Sequence, residues 1–325
     1  MSRIPRTVLR EPRRTLLHRR LEVLYARTDA AARREADPVG LVHRYDDPRD
    51  AEIAGLVAAL LAYGRVDLFR PVVEQILALA EARGGPRAFA EGFDPDRDGA
   101  PLRPLVYRWN RGLDLVLLFA ALRRVLARHG GLEPLFAGWR VEDHDVHRVL
   151  ARGVEALRAA TLDAAPACRV PAERFDDLPR GFRYLLPSPA DGSACKRWNM
   201  YLRWMVRPTT EGIDLGLWRS LPTRALVMPM DTHTTRIARL IGLTRRPEGS
   251  WRTAVEVTRN LRRLDPQDPI RFDFALAHLG ISGACTARRD DAVCPTCPLQ
   301  PVCVHGSSAG RARGEDQLPV SPGQL

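Results

Sequence analysis

Lysine is almost absent from this sequence. Lys196 is the single lysine among 50 lysine and arginine residues. An arginine guanidinium stays protonated and cannot attack carbon, whereas a lysine amine shielded from water can do so. Either the composition has drifted towards arginine and spared one lysine by chance, or Lys196 is a nucleophile. Composition alone leaves both interpretations open, so the neighbouring residues must decide between them.

Acidic residues are scarce relative to basic ones. The chain of 325 residues has 39 aspartates and glutamates against 50 lysines and arginines, which gives a formal net charge of +11. The isoelectric point of the sequence is about 10.1. A surface of this charge attracts phosphate backbones and releases their counterions. We therefore expect nucleic acid as the partner, with an acidic membrane surface as the second alternative.

Long apolar runs are missing. No segment approaches the ~18 to 20 apolar residues that cross a bilayer, and the basic start from Met1 to Arg20 lacks the apolar stretch of a signal peptide. Hydrophobic residues nevertheless make up 45% of the chain, which is enough for a large core. We expect a folded cytoplasmic protein without a membrane partner.

Alternating strand patterns are missing as well. Apolar residues instead recur at intervals of three and four, which is typical of helices. The helices predicted in this way cover residues 15–36, 50–63, 67–83, 113–128, 146–162 and 251–264. The polar segment 306–325, with its glycines and prolines, predicts a disordered tail. The expected fold class is all-α.

Cysteine is rare until the last fifth of the chain. Four of the six cysteines, Cys285, Cys294, Cys297 and Cys303, follow the spacing C-x8-C-x2-C-x5-C. Structural zinc sites usually pair two C-x2-C knuckles across a longer gap, so a single pair with flanking cysteines favours a [4Fe–4S] cluster over zinc. Cys168 and Cys195 are expected to be ordinary buried thiols.

The sequence around Lys196 predicts two helices joined by a tight turn. Leu185 and Leu186 end one helix, the segment 187–192 supplies proline and glycine turn residues, and the next helix carries Trp198 to Val206. Such a helix–hairpin–helix can hold a DNA phosphate through backbone N–H groups, although an ordinary αα-corner has the same pattern. In this prediction Lys196 lies one turn inside the second helix.

A carboxylate candidate follows in the segment Met230-Asp231-Thr232-His233. Asp231 is placed to cap the N-terminus of a helix that continues through Leu240. A carboxylate at a helix start can also stabilise a developing positive charge or assist proton transfer, if the hairpin brings Lys196 close to it.

The order of these features resembles the endonuclease III branch of the helix–hairpin–helix DNA glycosylase superfamily. Gly192 to Lys196 is similar to its glycine-x-glycine-x-lysine hairpin, Met230 to His233 to its Val-Asp-Thr-His, and Leu279-Gly280 to its Leu-His-Gly before the cysteines. The resemblance covers roughly the last 140 residues. In the N-terminal half only Leu60-Leu61-Ala62-Tyr63 is loosely similar, to a helix end that contributes to the DNA cleft.

The resemblance implies a base-excision-repair DNA glycosylase with AP lyase activity. Lys196 would attack the sugar C1′ of a flipped nucleotide and form a Schiff base, with Asp231 as the essential carboxylate. The implied substrate is double-stranded DNA that carries a damaged base, expected to be an oxidised one, or an abasic site. The implied location is the cytoplasm, in association with the nucleoid. The implied DNA contacts are Gly192, Ser193, Ala194, Arg197 and Tyr63, and the four clustered cysteines would hold the iron–sulfur centre.

The sequence departs from that pattern in three ways. The second glycine of the hairpin is Ala194, the first cysteine interval is eight residues rather than six, and 35 positions separate Lys196 from Asp231. The extra segment 208–229 predicts a short additional helix around 214–218. The arrangement is more similar to an uncharacterised bacterial family related to endonuclease III than to the enzyme itself.

These features divide the chain into four expected parts. They are an N-terminal helix in residues 1–45 that packs with the C-terminal lobe, a helical barrel lobe in 46–225 that ends in the hairpin, an iron–sulfur lobe in 226–305, and a tail in 306–325. The expected molecule is a two-lobed monomer of the glycosylase fold. A non-catalytic iron–sulfur DNA-binding protein on the same fold stays open, and so does electron transfer, although a second cluster motif and a G-x-G-x-x-G turn are missing.

Overall fold

The structure is a computed structural model that describes residues 7–208 and 212–306. These residues are mostly helical, so the all-α prediction is confirmed. In chain order the helices are α1 (Arg13–Ala26), α2 (Ala30–Ala36), α3 (Val39–Val42), α4 (Pro48–Leu61), α5 (Val66–Glu81), α6 (Pro86–Glu91), α7 (Gly99–Leu102), α8 (Gly112–His129), α9 (Glu133–Phe136), α10 (His147–Ala164), α11 (Arg180–Leu185), α12 (Lys196–Val206), α13 (Thr232–Leu240), α14 (Trp251–Arg262) and α15 (Asp273–Ile281). Short 3₁₀ turns connect several of them. The predicted tail lies, from residue 307 onwards, outside the described residues.

The chain divides into two compact units. The larger unit is Ala30–Leu226, and the smaller one combines Met1–Asp29 with Val227–Leu325, of which residues 7–29 and 227–306 are described. The first division falls after Asp29, whereas the sequence suggested one after residue 45. Helices α2 and α3 explain this difference, because α2 packs on α3 and α3 packs on α4 within the larger unit.

The larger unit is built around two buried helices. Every residue of α4 from Ala51 to Leu61 is buried, and α4 contacts α3, α5, α6 and α12. Helix α8 is the second, and it packs against α6, α7 and α10. Residues 51–61 of α4 and 114–122 of α8 are buried on all sides, so other helices must cover them on all sides. Asp47 caps α4 by accepting a hydrogen bond from the Arg49 amide at 2.8 Å.

Two predictions about secondary structure are corrected by the structure. The helix predicted over residues 15–36 is interrupted between Ala26 and Ala30, so that α1 falls in the smaller unit and α2 in the larger one. A short antiparallel hairpin, β1 (Val106–Tyr107) and β2 (Asn110–Arg111), was not predicted. Strands of two residues are too short to show an alternating pattern.

The predicted helix around 214–218 is also wrong. This segment forms no helix and lies along the end of α12, where the amides of Leu215 and Trp218 donate to the carbonyls of Trp204 and Met205 at 2.8 and 2.7 Å. The side chain of Asp214 is buried and its Oδ2 accepts hydrogen bonds from two arginines of the α12 end. Its apolar neighbours gave the segment an apparent helical period, but pairing with the end of α12 satisfies its backbone instead.

The smaller unit contains α1, α13, α14, α15 and the loop that carries the four clustered cysteines. Its N-terminal strand-like segment is tied to α14, because the Asn260 side chain accepts from the Leu9 amide at 3.2 Å and donates to the Thr7 carbonyl at 3.0 Å. Arg13 of α1 donates to the carbonyls of Ile241 and Val302 at 3.2 and 2.8 Å. In the described ranges, none of the helices has both the length and the apolar content needed to span a membrane.

Candidate functional site

Lys196 is the first residue of α12, so it begins the helix instead of lying one turn inside it. Its Nζ lies 3.4 Å from the carbonyl oxygen of Ala62, the residue that caps the C-terminal end of α4. The side chain is half-buried. Among the described residues no carboxylate forms an ion pair with it. The only lysine is thus held between two helices of the larger unit and is not fixed in a salt bridge.

The turn before Lys196 has the conformations that a tight helix connection requires. Gly192 lies in the left-handed region with φ of 77°, where glycine carries no steric cost. The second left-handed residue is Cys195, with φ of 47°, and not Ala194. Ala194, which stands where the endonuclease III pattern has its second glycine, therefore needs no left-handed conformation. The Ser193 hydroxyl accepts a hydrogen bond from the Cys195 amide at 3.2 Å and stabilises the turn.

Arg197 was expected to contact DNA, but the structure places its side chain in the protein interior. It is only 7% exposed, and its guanidinium donates to the carbonyl oxygens of Leu60 and Tyr184. The same group lies 5.3 Å from the ring centre of Tyr63 and 4.5 Å from that of Tyr184. Its donors join α4, α11 and α12, so the described position of Arg197 does not favour a phosphate contact.

Tyr63, the other aromatic candidate for DNA contact, is half-buried in a cluster of tyrosines. Its ring centre lies 4.9 Å from that of Tyr107 and 5.0 Å from that of Tyr184. Its hydroxyl donates to Asn110 Oδ1 at 2.6 Å, and burial raises the pKa of Tyr63 to about 12. The Tyr63 ring therefore packs against its neighbouring tyrosines and does not project freely into solvent.

The sequence analysis missed two exposed aromatic residues at this end of the larger unit, Trp109 and the 43% exposed Tyr184. Trp109 lies in the turn between β1 and β2 and is 55% exposed. Its ring faces the guanidinium of Arg180 at 5.4 Å, and the preceding Arg108 has a positive φ of 51°. The sequence does indicate the exposure of Trp109, because a tryptophan flanked by an arginine and an asparagine is unusual in a buried segment.

Asp231 lies in the smaller unit and begins α13 as its N-terminal cap. Its Oδ1 accepts a hydrogen bond from the Thr234 amide at 2.7 Å, which confirms the predicted cap. The carboxylate is partly exposed. In the same unit, the His233 side chain packs over Gly280 of α15, where an added Cβ would lie 2.7 Å from the His233 Cβ. Glycine at 280 therefore allows α13 and α15 to approach closely.

The four clustered cysteines also lie in the smaller unit and line one cavity. Cys285, Cys294, Cys297 and Cys303 contribute to its wall together with Arg288 and His305. Burial raises the pKa of the Cys285 and Cys297 thiols, and the other clustered cysteines raise it further by charge repulsion. Within residues 7–208 and 212–306, no three His, Cys, Asp or Glu side chains stand close enough together to hold a single metal ion.

Cys168 and Cys195 are buried thiols, as expected from the sequence. The Cys195 Sγ donates to the Pro187 carbonyl at 3.5 Å, and burial raises its pKa to about 12. Cys195 therefore stays protonated at neutral pH, although it is the chain neighbour of Lys196.

The described chain is thus a mostly helical protein with one amine at a helix start and a separate four-cysteine loop. It belongs to the family described as “Protein of unknown function (DUF2400)”, whose model matches residues 37–282 and so more than half of the chain. The match includes Lys196 and Asp231 and ends before Cys285. Comparison with curated proteins and with solved structures gives no match.

Proposed function

We propose that this protein is a DNA glycosylase with AP lyase activity that uses Lys196 as its nucleophile. The observation that carries the proposal is the position of the only lysine. It follows a turn with left-handed residues at 192 and 195, starts α12, and bonds to a backbone carbonyl instead of a carboxylate. An amine held in this way, at the carbonyl of the residue before Tyr63, is suited to attack a bound sugar.

The proposed reaction begins with a damaged nucleotide turned out of the duplex. The neutral Nζ of Lys196 attacks C1′, the glycosidic bond breaks, and the base leaves with a proton. The sugar ring opens to a Schiff base between C1′ and Nζ. Loss of a proton from C2′ then breaks the bond between C3′ and its oxygen, which cuts the strand, and water releases the amine. No oxidant or reductant is required.

Asp231 would stabilise the positive charge that develops on the sugar as the base departs. Two observations support this role of Asp231. Met230-Asp231-Thr232-His233 resembles the Val-Asp-Thr-His of endonuclease III, and a helix starts at Thr232. The turn residues Gly192, Ser193 and Ala194 would approach a backbone phosphate, because turns at a helix start can present amide groups to an anion.

The four clustered cysteines would hold a [4Fe–4S] cluster with a structural role. Their support is the donor chemistry, since four thiols line one cavity, and the spacing, which differs from that of common zinc sites. A cluster is wider than a single ion, so its ligands need not stand within reach of one metal atom. When bound, the cluster would neutralise the mutual repulsion of the four thiolates and fix the loop.

The test is strand scission by protein purified without air. Duplexes with an abasic site, an oxidised pyrimidine or an oxidised purine are incubated with wild type, Lys196→Gln and Asp231→Asn. We expect wild type to cut the abasic duplex and at least one damaged duplex, Lys196→Gln to cut none, and Asp231→Asn to excise the base about 100-fold or more slowly. Equal cutting by wild type and Lys196→Gln would refute the role of the lysine. Binding without cutting by either would instead favour a non-catalytic iron–sulfur DNA-binding protein.

A further inference from the structure

The smaller unit has an open groove lined by four arginines that the sequence analysis did not single out together. The groove measures about 910 Å³, and its arginines are Arg236, Arg239, Arg245 and Arg288. Two of them, Arg236 and Arg239, lie three residues apart on α13, and the exposed Thr286 adds a hydroxyl group. No aspartate or glutamate of the described chain lines this groove.

These four arginines differ from most others in how they are used. Elsewhere arginines commonly pair with carboxylates, as Arg246 does with Glu256 at 3.0 Å and Arg271 with Glu22 at 3.1 Å in the same unit. All four groove arginines are exposed. Within the described part of the chain, none of their four guanidinium groups forms a hydrogen bond or an ion pair. Four guanidinium groups that repel one another in one groove are stable when an anion lies among them.

We propose that this groove binds the phosphate backbone of duplex DNA independently of the lysine chemistry. This inference rests on the proposed function for its choice of nucleic acid, and it adds a second contact region that would supply affinity without sequence or damage recognition. Arginine suits this role because its planar donors match phosphate oxygens. A groove of this size is too open to enclose a single phosphate. None of the described residues that line it is aromatic, and Val304 is its one exposed large hydrophobic residue against four arginines, which disfavours a membrane surface.

The groove lies beside the cysteine loop, because Arg288 lines both the groove and the cavity of the four cysteines. The conformation of the loop would therefore set the position of one of the four phosphate ligands. Binding of undamaged DNA should then depend on the integrity of the loop, whereas Lys196 lies in the other unit and should not be needed for it.

The experiment measures the affinity for an undamaged duplex at several salt concentrations. The groove variant is Arg236→Gln with Arg239→Gln. The matched control is Arg252→Gln with Arg259→Gln, two exposed arginines of α14 in the same unit that do not line the groove and that remove the same charge. We expect the slope of log K against log salt to fall by about 2 for the groove variant, at about one per lost phosphate contact, and to change little for the control.

Equal changes of the salt slope in the two variants would overturn the proposal, because the effect would then come from the net charge of the protein and not from the groove. Loss of binding to anionic vesicles with unchanged DNA binding would also overturn it. Circular dichroism shows whether the groove variant folds. If it does not, the double variant Arg245→Gln with Arg288→Gln removes the other two groove arginines, and the same salt slope is measured. Lys196→Gln separates the two proposals. If this variant binds undamaged DNA normally but does not cut, the proposal of DNA binding by the groove is supported. If wild type binds through the groove but cuts no substrate, only the proposed enzyme activity is refuted.

Discussion

The Nζ of Lys196 lies 3.4 Å from the carbonyl oxygen of Ala62, so the only lysine of the chain meets the C-terminal end of α4. The contact joins the two helices on which the candidate active site depends, because Tyr63 follows Ala62 and Arg197 follows Lys196. The position of the amine is therefore set by packing of α4 against α12.

This contact predicts that Lys196→Gln folds normally. A single long hydrogen bond from a half-buried side chain contributes little, so the free energy of unfolding should change by less than about 1 kcal/mol. Urea denaturation of wild type and variant measures it. A much larger loss would mean that the lysine is structural. The activity test would then need Lys196→Arg, which keeps a positive charge and a donor for the Ala62 carbonyl but cannot act as a nucleophile.

Asp214 should be essential for stability. Its Oδ2 accepts hydrogen bonds from Arg203 Nε at 3.2 Å and Arg207 Nη1 at 2.9 Å, and all three side chains are buried. Removing the carboxylate leaves buried guanidinium charge uncompensated, so Asp214→Ala should lower the free energy of unfolding by about 3 to 5 kcal/mol. The control is Asp176→Ala, from an exposed ion pair with Arg183, which should cost less than about 1 kcal/mol. Equal costs in the two variants would contradict the role of burial.

Cys195 should resist alkylation in the folded protein. Burial raises its pKa to about 12, so the reactive thiolate is scarce below that pH and becomes abundant only above it. In the unfolded chain the pKa returns to the usual ~8.5, and the thiol should react readily at pH 8. Iodoacetamide labelling followed by peptide mass mapping compares the two states. Labelling of native Cys195 at the unfolded rate would show that the thiol is accessible.

The clustered cysteines should differ from the buried ones in their need for iron. Cys294→Ser should lose iron and sulfide from protein purified without air, whereas Cys168→Ser should retain them, since Cys168 lies in the other unit. Iron and acid-labile sulfide analysis measures both. If wild type retains zinc and no iron, the four cysteines form a zinc site and not an iron–sulfur cluster.

Part of this structure follows directly from the sequence. Helices α4, α5, α8, α10 and α14 appear where apolar residues recur at three and four positions, because that spacing places apolar side chains on one face of a helix. Asp231 caps α13 because a carboxylate before Thr-His-Thr satisfies an open amide. Local signals of this kind act over a few residues, so a sequence displays them.

Other features depend on contacts between distant residues. The interior position of Arg197 depends on the carbonyls of Leu60 and Tyr184, which no local pattern reveals. The segment around Asp214 has an apparent helical period, but its backbone pairs with the end of α12 instead. The arginine groove joins α13 to the cysteine loop, with about 50 residues between them in the chain.

The most direct measurement is borohydride trapping on a duplex with an abasic site, followed by peptide mass mapping of the adduct. Because the chain has one lysine, the only competing primary amine is its terminal α-amino group. The account predicts one sugar adduct, on the peptide that contains Lys196, and none with Lys196→Gln. Absence of an adduct from active, iron-loaded protein, or an adduct confined to the terminal amine, would contradict it.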